Sequence, residues 1–130
     1  MKTIVSWNVN GIRAVEKKGF LDWLDRESPD VLCLQETKAH KGQVSLELAE
    51  PVLASGAWKS WWSSAKKAGY SGTAIYSKTE PLDVHTSGFP EFDDEGRVVI
   101  AEYPEAAVIS AYFPNSQEAG ARLGYKLEYC

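Results

Sequence analysis

Lys2-Thr3-Ile4-Val5-Ser6-Trp7 and Val31-Leu32-Cys33-Leu34-Gln35 bracket a segment, Gly19 to Glu27, in which Phe20, Leu21, Trp23 and Leu24 recur at helical spacing. The two flanking runs are β-branched or apolar and too short for helices, and Pro29 stops the helix between them. Residues 2–35 therefore open the fold as a β-α-β unit. Beyond it, the polar loop 37–43 leads to a short helix candidate, 44–50, closed by Pro51. Trp58 to Ser64 and Thr73 to Lys78 alternate like two strands, joined by the turn-rich Lys66-Lys67-Ala68-Gly69-Tyr70-Ser71-Gly72.

The acidic loop Glu91-Phe92-Asp93-Asp94-Glu95-Gly96 precedes two more strands, 97–103 and 106–112, and their Pro104-Glu105 link is short enough for a hairpin. The second half is mostly antiparallel, so the expected fold class is α/β, a mixed β-sheet with flanking helices. Pro114 to Gly120 reads as loop, and from Ala121 the chain carries helix formers that do not complete a helix before Tyr129-Cys130. With no repeat, low-complexity stretch or linker, no boundary divides 1–130. Trp58, Ser60 and Trp62 alternate with Trp61 and Ser63, which puts indoles on both faces of one strand and suits a sheet buried on both sides. Helices on one face leave the other in need of a cover, and the sequence shows none; the expected result is an open, self-associating face.

A length of 130 residues, 44 % apolar and 25 % charged, is the composition of a folded globular chain. No apolar run approaches the roughly 18 residues of a membrane helix, and Met1-Lys2-Thr3 leads into Ile4 without a secretory apolar region. No membrane partner is expected, and the expected location is cytoplasmic, associated with the nucleoid. Cys33 in an apolar run and Cys130 at the last position read as free thiols. A net charge of −4 excludes nucleic-acid binding through bulk positive charge, so any such contact uses a local patch such as Lys38-Ala39-His40-Lys41 or Lys66-Lys67.

The first strand ends in Trp7-Asn8-Val9-Asn10-Gly11 and the second in Leu34-Gln35-Glu36-Thr37-Lys38. Ligands of open α/β sheets bind outside such strand ends. If the two strands pair, Asn8 and Glu36 converge, and hard oxygen donors carrying little charge suit Mg²⁺, which keeps several waters. Spacing alone favours a plainer alternative, in which Glu36 caps a turn and Asn8 and Asn10 are turn residues that tolerate left-handed dihedrals.

Six segments in register change that balance: Ser6-Trp7-Asn8-Val9-Asn10-Gly11-Ile12-Arg13-Ala14, Leu34-Gln35-Glu36-Thr37-Lys38, Gly69-Tyr70-Ser71-Gly72-Thr73-Ala74-Ile75-Tyr76-Ser77-Lys78, Glu95-Gly96-Arg97, Tyr112-Phe113-Pro114-Asn115 and Arg122-Leu123-Gly124-Tyr125-Lys126. With them the chain resembles the exonuclease III family of AP endonucleases, within the endonuclease/exonuclease/phosphatase superfamily. The resemblance implies half of a four-layer, deoxyribonuclease I-like α/β sandwich. It implies that Glu36 is a direct Mg²⁺ ligand, Mn²⁺ being the alternative ion, with Asn8 beside it. Asn10 stands where some members have a metal-holding aspartate, so one metal position is expected rather than two. Tyr112 matches the tyrosine that meets the attacked phosphate. Tyr70 matches an aromatic presented to the DNA groove, while Arg97, Asn115 and Lys38 match DNA contacts. Without the resemblance, Tyr112 is a strand-end core tyrosine and Arg97 a salt-bridge partner of Asp93-Asp94-Glu95. His40 and His85 match no catalytic histidine, and neither has a partner carboxylate at useful sequence spacing.

The implied reaction is metal-assisted hydrolysis of the phosphodiester 5′ to an abasic site in duplex DNA, with 3′-to-5′ exonuclease activity from the same site. Members of the family run to about double this length. Their second half supplies a Gly-Asp-Phe/Met-Asn segment, a later metal-site aspartate and a Ser-Asp-His segment, none of which occurs here. The expectation is an N-terminal half, inactive alone, whose partners are abasic duplex DNA and either the missing half or a second copy covering the sheet. Two alternatives stay open: a non-catalytic module that binds abasic DNA or assembles with a partner, and another phosphodiesterase or phosphatase of the same superfamily.

Overall fold

Parallel pairing of β1 (Ile4–Asn8) with β2 (Val31–Gln35) organises the molecule, in register Ile4↔Val31 through Asn8↔Gln35. A computed structural model describes residues 3–113 of the chain. The crossover between the two strands holds α1 (Ile12–Lys17) and α2 (Phe20–Glu27). The second is the helix expected from the apolar spacing; Ser28, at φ 46°, ends it before Pro29. The first was not foreseen, because only Ile12 and Val15 mark its apolar side. A 3₁₀ turn, Lys41–Gln43, and α3 (Leu46–Ala49) follow, the latter capped by the Ser45 side chain accepting from the Leu48 amide. Two-residue strands β3 (Val52–Leu53) and β4 (Gly56–Ala57) form a small ribbon.

The long pair expected from the tryptophan-rich segment is present as β5 (Lys59–Ser63) and β6 (Thr73–Ser77), antiparallel, and β6 also pairs antiparallel with β2. The first sheet therefore runs β1-β2-β6-β5 and is mixed. After it come β7 (Asp83–His85), α4 (Pro90–Asp93), β8 (Val98–Glu102) and β9 (Ala107–Ala111). The last two are the expected hairpin, and β7 adds to it in a second sheet ordered β7-β8-β9. The loop expected from Pro114 and the incomplete helix from Ala121 lie outside the described residues.

Two cores result. On one face of the first sheet, Leu32, Leu34, Ala74 and Tyr76 pack with Ile12, Phe20, Leu24, Leu48 and Trp58. On the other face, Val31, Cys33 and Ile75 meet Val99, Ala101, Tyr103 and Val108 from the second sheet. Burial on both faces is why β2 reads as an unbroken apolar run rather than an alternating one. The expectation of an open sheet face is corrected here. The chain covers that face itself, because the β8–β9 hairpin folds back across β2 and β6. The expected indoles on both faces of β5 are present: Trp62 packs on the helix side, donating to Ser60 Oγ at 2.7 Å, and Trp61 on the sheet side. No helix among the described residues is long and apolar enough to cross a membrane.

Cys33 sits in the inter-sheet core, and burial pushes its thiol up from 9.0 to about 11. A thiol raised in the folded state contributes stability that is complete below the unfolded value and is lost as pH rises toward the folded one. Iodoacetamide at pH 8 is expected to leave Cys33 unlabelled in the native chain and to label it in urea, read by peptide mass spectrometry. Native labelling at the unfolded rate would contradict this packing.

Candidate functional site

The parallel register sets Asn8 opposite Gln35, so Asn8 and Glu36 leave their strands side by side. Backbone bonding does not stop at the strand ends. Val9 N donates to Gln35 O at 3.0 Å, Gly11 N to Glu36 O at 2.7 Å and Ile12 N to Thr37 O at 2.9 Å. On the opposite side Thr37 N reaches Gly72 O at 3.1 Å and Lys38 N reaches Ser71 O at 2.7 Å. Three loops are thereby laced into one ledge at the carboxyl ends of β1 and β2. Among the described residues five non-glycine positions have left-handed φ, and four of them lie on this ledge: Asn10 (50°), Glu36 (55°), Lys38 (54°) and Ser71 (51°). Each is unfavourable by about 1 kcal/mol, and that concentration aims side chains which relaxed strands would direct elsewhere.

The ledge holds a cation. Lys38 Nζ lies 2.7 Å from Asn10 Oδ1 and 3.8 Å from Glu36 Oε2, and the Glu36 side chain is only 18 % exposed. Arg13 Nη2 donates to Lys38 O at 3.0 Å. Asn8 Oδ1 accepts from Asn10 N at 3.1 Å, the turn role that spacing had favoured for these asparagines. Even so, both remain exposed, and each places an amide oxygen at the mouth of the same turn. One carboxylate and one amide oxygen around the Lys38 ammonium, with the Asn8 amide oxygen in the adjoining turn, form a hard-oxygen donor set already neutralising positive charge. It fits Mg²⁺ or Mn²⁺, which would share their remaining coordination with water and phosphate.

A second group adjoins the first through Thr73, whose Oγ1 donates to Gly96 O at 3.2 Å. Here Tyr70 OH donates to Glu95 Oε1 at 3.0 Å, and Arg97 Nη2 donates to Tyr70 OH at 2.8 Å. The Arg97 guanidinium carbon stands 5.5 Å from the Tyr70 ring centroid and 4.8 Å from that of Tyr112, while Tyr112 N donates to Arg97 O at 2.9 Å. Arg97 is 0 % exposed, Tyr70 and Tyr112 are half-buried, and the ion pair with Glu95 at 3.7 Å is the one expected without the family resemblance. Asn115 lies outside the described residues.

One feature was missed in the sequence. His85 does have carboxylate partners: its Nε2 is 3.8 Å from Glu102 Oε2, and Asp83 joins them in an exposed cluster on the outer face of the second sheet. Glu102 sits on a different strand, opposite Asp83, and only the β7–β8 register reveals the approach. The alternation Asp83-Val84-His85 was the available signal. This cluster contains none of the ledge residues.

Comparison with known proteins fits this geometry. The chain is 43 % identical over 128 residues to an exodeoxyribonuclease of Bacillus subtilis (strain 168), covering 97 % of this chain and 48 % of the relative. It is 44 % identical over 124 residues to the DNA repair nuclease APEX1 of Danio rerio, covering 95 % of this chain and 39 % of the relative. The catalytic domain of Xenopus laevis APE2 superposes with a TM-score of 0.79 at 29 % identity, over 98 % of this chain and 50 % of that one. An AP endonuclease from Archaeoglobus fulgidus gives 0.72 at 27 % identity, over 99 % and 48 %. The chain thus spans about half the length of the relatives it matches or less, and the α/β architecture with its mixed sheet is the one these structures share. Matched from residue 5 to residue 129, the chain belongs to the Endonuclease/Exonuclease/phosphatase family.

Proposed function

We infer that this chain carries the metal-holding and lesion-facing part of a DNA-repair nuclease, an AP endonuclease and 3′-to-5′ exodeoxyribonuclease that hydrolyses the phosphodiester 5′ to an abasic site. The supporting observation is that the Glu36–Asn10–Lys38 ledge and the Tyr70–Arg97–Tyr112 group adjoin on one edge, linked through residues 71–73 and 96. The relatives named a DNA repair nuclease and an exodeoxyribonuclease support the same reading. Glu36 would hold Mg²⁺ or Mn²⁺, with Asn8 and Asn10 beside it. Bound there, the ion supplies positive charge against the oxygens of the phosphodiester. Tyr112 directs its phenol at a non-bridging phosphate oxygen, and Tyr70 presents its ring to the groove where the abasic sugar leaves the stack. Lys38 and Asn115 hold the flanking backbone, so binding should weaken steeply with salt. The location that follows is one with access to chromosomal DNA.

The test is Mg²⁺-dependent cleavage of a labelled duplex with one abasic analogue, by the chain alone and mixed with a polypeptide spanning the remaining half of a relative. Cleavage on mixing and none by the chain alone is expected, since loss of a general base alone costs roughly 10²–10⁴-fold. Salt-sensitive binding without cleavage in either arm would favour the non-catalytic binding module, and absence of both would overturn the assignment to DNA.

A further inference from the structure

Two carboxylates face each other directly across β7 and β8, because the register pairs Asp83 with Glu102. Like charges opposite one another on a sheet destabilise it. His85, two residues along β7, lies on the same outer face, and its Nε2 stands 3.8 Å from Glu102 Oε2. One ligand atom from each of the three residues lies within 4.8 Å of the other two, and all three residues are exposed. We propose that Asp83, His85 and Glu102 form a binding site for a borderline divalent cation, Zn²⁺ foremost, that staples β7 to β8. None of the three belongs to the ledge or to the Tyr70–Arg97–Tyr112 group, so the site stands apart from the DNA reading.

The imidazole sets the chemistry. His85 Nδ1 lies 3.3 Å from the Thr86 carbonyl oxygen, which can only accept, so Nδ1 carries the hydrogen. In the neutral ring that leaves a lone pair on Nε2, the atom turned toward Glu102. Three acceptors then converge with no donor among them. Among the described residues no lysine or arginine forms an ion pair with either carboxylate. A metal ion takes all three lone pairs at once, and a ring N–H held by a carbonyl is the usual support of a metal-ligating histidine. One nitrogen with two carboxylate oxygens suits Zn²⁺ better than Mg²⁺, which favours oxygens in octahedral array. The two carboxylates also balance the double charge of the ion. Tetrahedral ligands of Zn²⁺ stand roughly 3.4 Å apart, so these exposed side chains need close in by only about an ångström.

Binding there would act on a weak piece of the fold. Among the described residues β7 is three residues long, lies at the edge of its sheet and pairs with β8 alone. A strand so short gains little from its ladder. An ion held by two residues of β7 and one of β8 binds the closed pair and not the open one, so its binding free energy adds to the stability of that edge.

The test titrates Zn²⁺ into the isotope-labelled 130-residue chain in millimolar Mg²⁺, followed by calorimetry and by amide NMR. One ion should bind at micromolar Zn²⁺, shift the amides of residues 83–86 and 101–103 most, and raise the urea midpoint. His85→Ala and Asp83→Asn should each weaken binding at least about tenfold. His40→Ala, which removes the other histidine, should leave it unchanged. All three ligands are exposed, so far-UV circular dichroism of the variants should match the wild type; if one misfolds, the wild-type amide shifts decide. Absence of Zn²⁺ binding would reduce the cluster to a histidine–glutamate ion pair and overturn the proposal. So would unchanged affinity in His85→Ala, amide shifts centred on the ledge or on His40, or displacement of Zn²⁺ by an equal concentration of Mg²⁺.

Discussion

Gly96→Ala is expected to destabilise the chain by about 3 kcal/mol, through backbone strain of roughly 1 kcal/mol and an unrelieved clash of roughly 2. Gly96 has φ 62°, and a Cβ there would stand 2.6 Å from Ser63 O and 2.7 Å from both Ala65 N and Ser64 C. All three are main-chain atoms at the end of β5, beside the bridge between Ala65 and Glu95, so no side-chain rotation relieves the contact. Gly72, at φ 94°, is the instructive contrast: its added methyl would meet chiefly the hydroxyl of Thr37, an atom that a change of rotamer can move. The measurement is the urea midpoint at unchanged slope. A loss below about 1 kcal/mol for Gly96→Ala would mean that the turn shifts freely, and with it the seat of Arg97.

The second large effect concerns Glu36→Gln. The substitution keeps size and shape while removing the only carboxylate on the ledge among the described residues that faces Lys38. Stability should change little, because the pair is partly solvated and such pairs contribute at most about 1 kcal/mol. Cleavage of abasic duplex by the chain mixed with a complementary half should fall by roughly 10²–10⁴-fold, while binding of that duplex stays within about threefold, since a negative charge has been removed from a surface that meets phosphate. Retained cleavage at wild-type Mg²⁺ dependence would remove Glu36 from the metal assignment. A parallel loss of binding and rate would instead make it a docking residue.

Much of this architecture is legible because apolar periodicity is strong where elements are long. Phe20, Leu24 and the run from Val31 to Gln35 specify the opening unit, and the hairpin after Gly96 follows from two alternating strands with a two-residue link. What could not be read is where that hairpin goes. Val99, Ala101 and Val108 announce one apolar face, and nothing in their order says that it meets Val31, Cys33 and Ile75 rather than an external partner. The short pieces β3, β4, β7 and α4 fall below the length at which periodicity separates from chance. At the ledge, residue types and family resemblance located Asn8, Asn10, Glu36 and Lys38, but the ammonium lodged between Asn10 and Glu36 depends on left-handed backbone that composition does not encode. Arg97 shows the same limit, since an arginine in a turn gives no sign of being fully enclosed.

The tie between the sheets carries a kinetic consequence. Gln35 Nε2 donates to Ser110 Oγ at 3.2 Å across 75 residues of chain, and Ser110 Oγ in turn donates to Leu34 O at 2.9 Å. Closing so long a loop costs entropy before any contact offsets it, whereas β1 and β2 pair across only 27 residues. The expected order of assembly follows: Asn8 and Glu36 come together with the β1–β2 pair, Ser71 and Gly72 complete the ledge when β6 adds to β2, and Tyr112 arrives only when the final hairpin docks. A chain caught between these steps would display the cation-holding side chains without the tyrosine, which makes hairpin docking the commitment step for the whole edge.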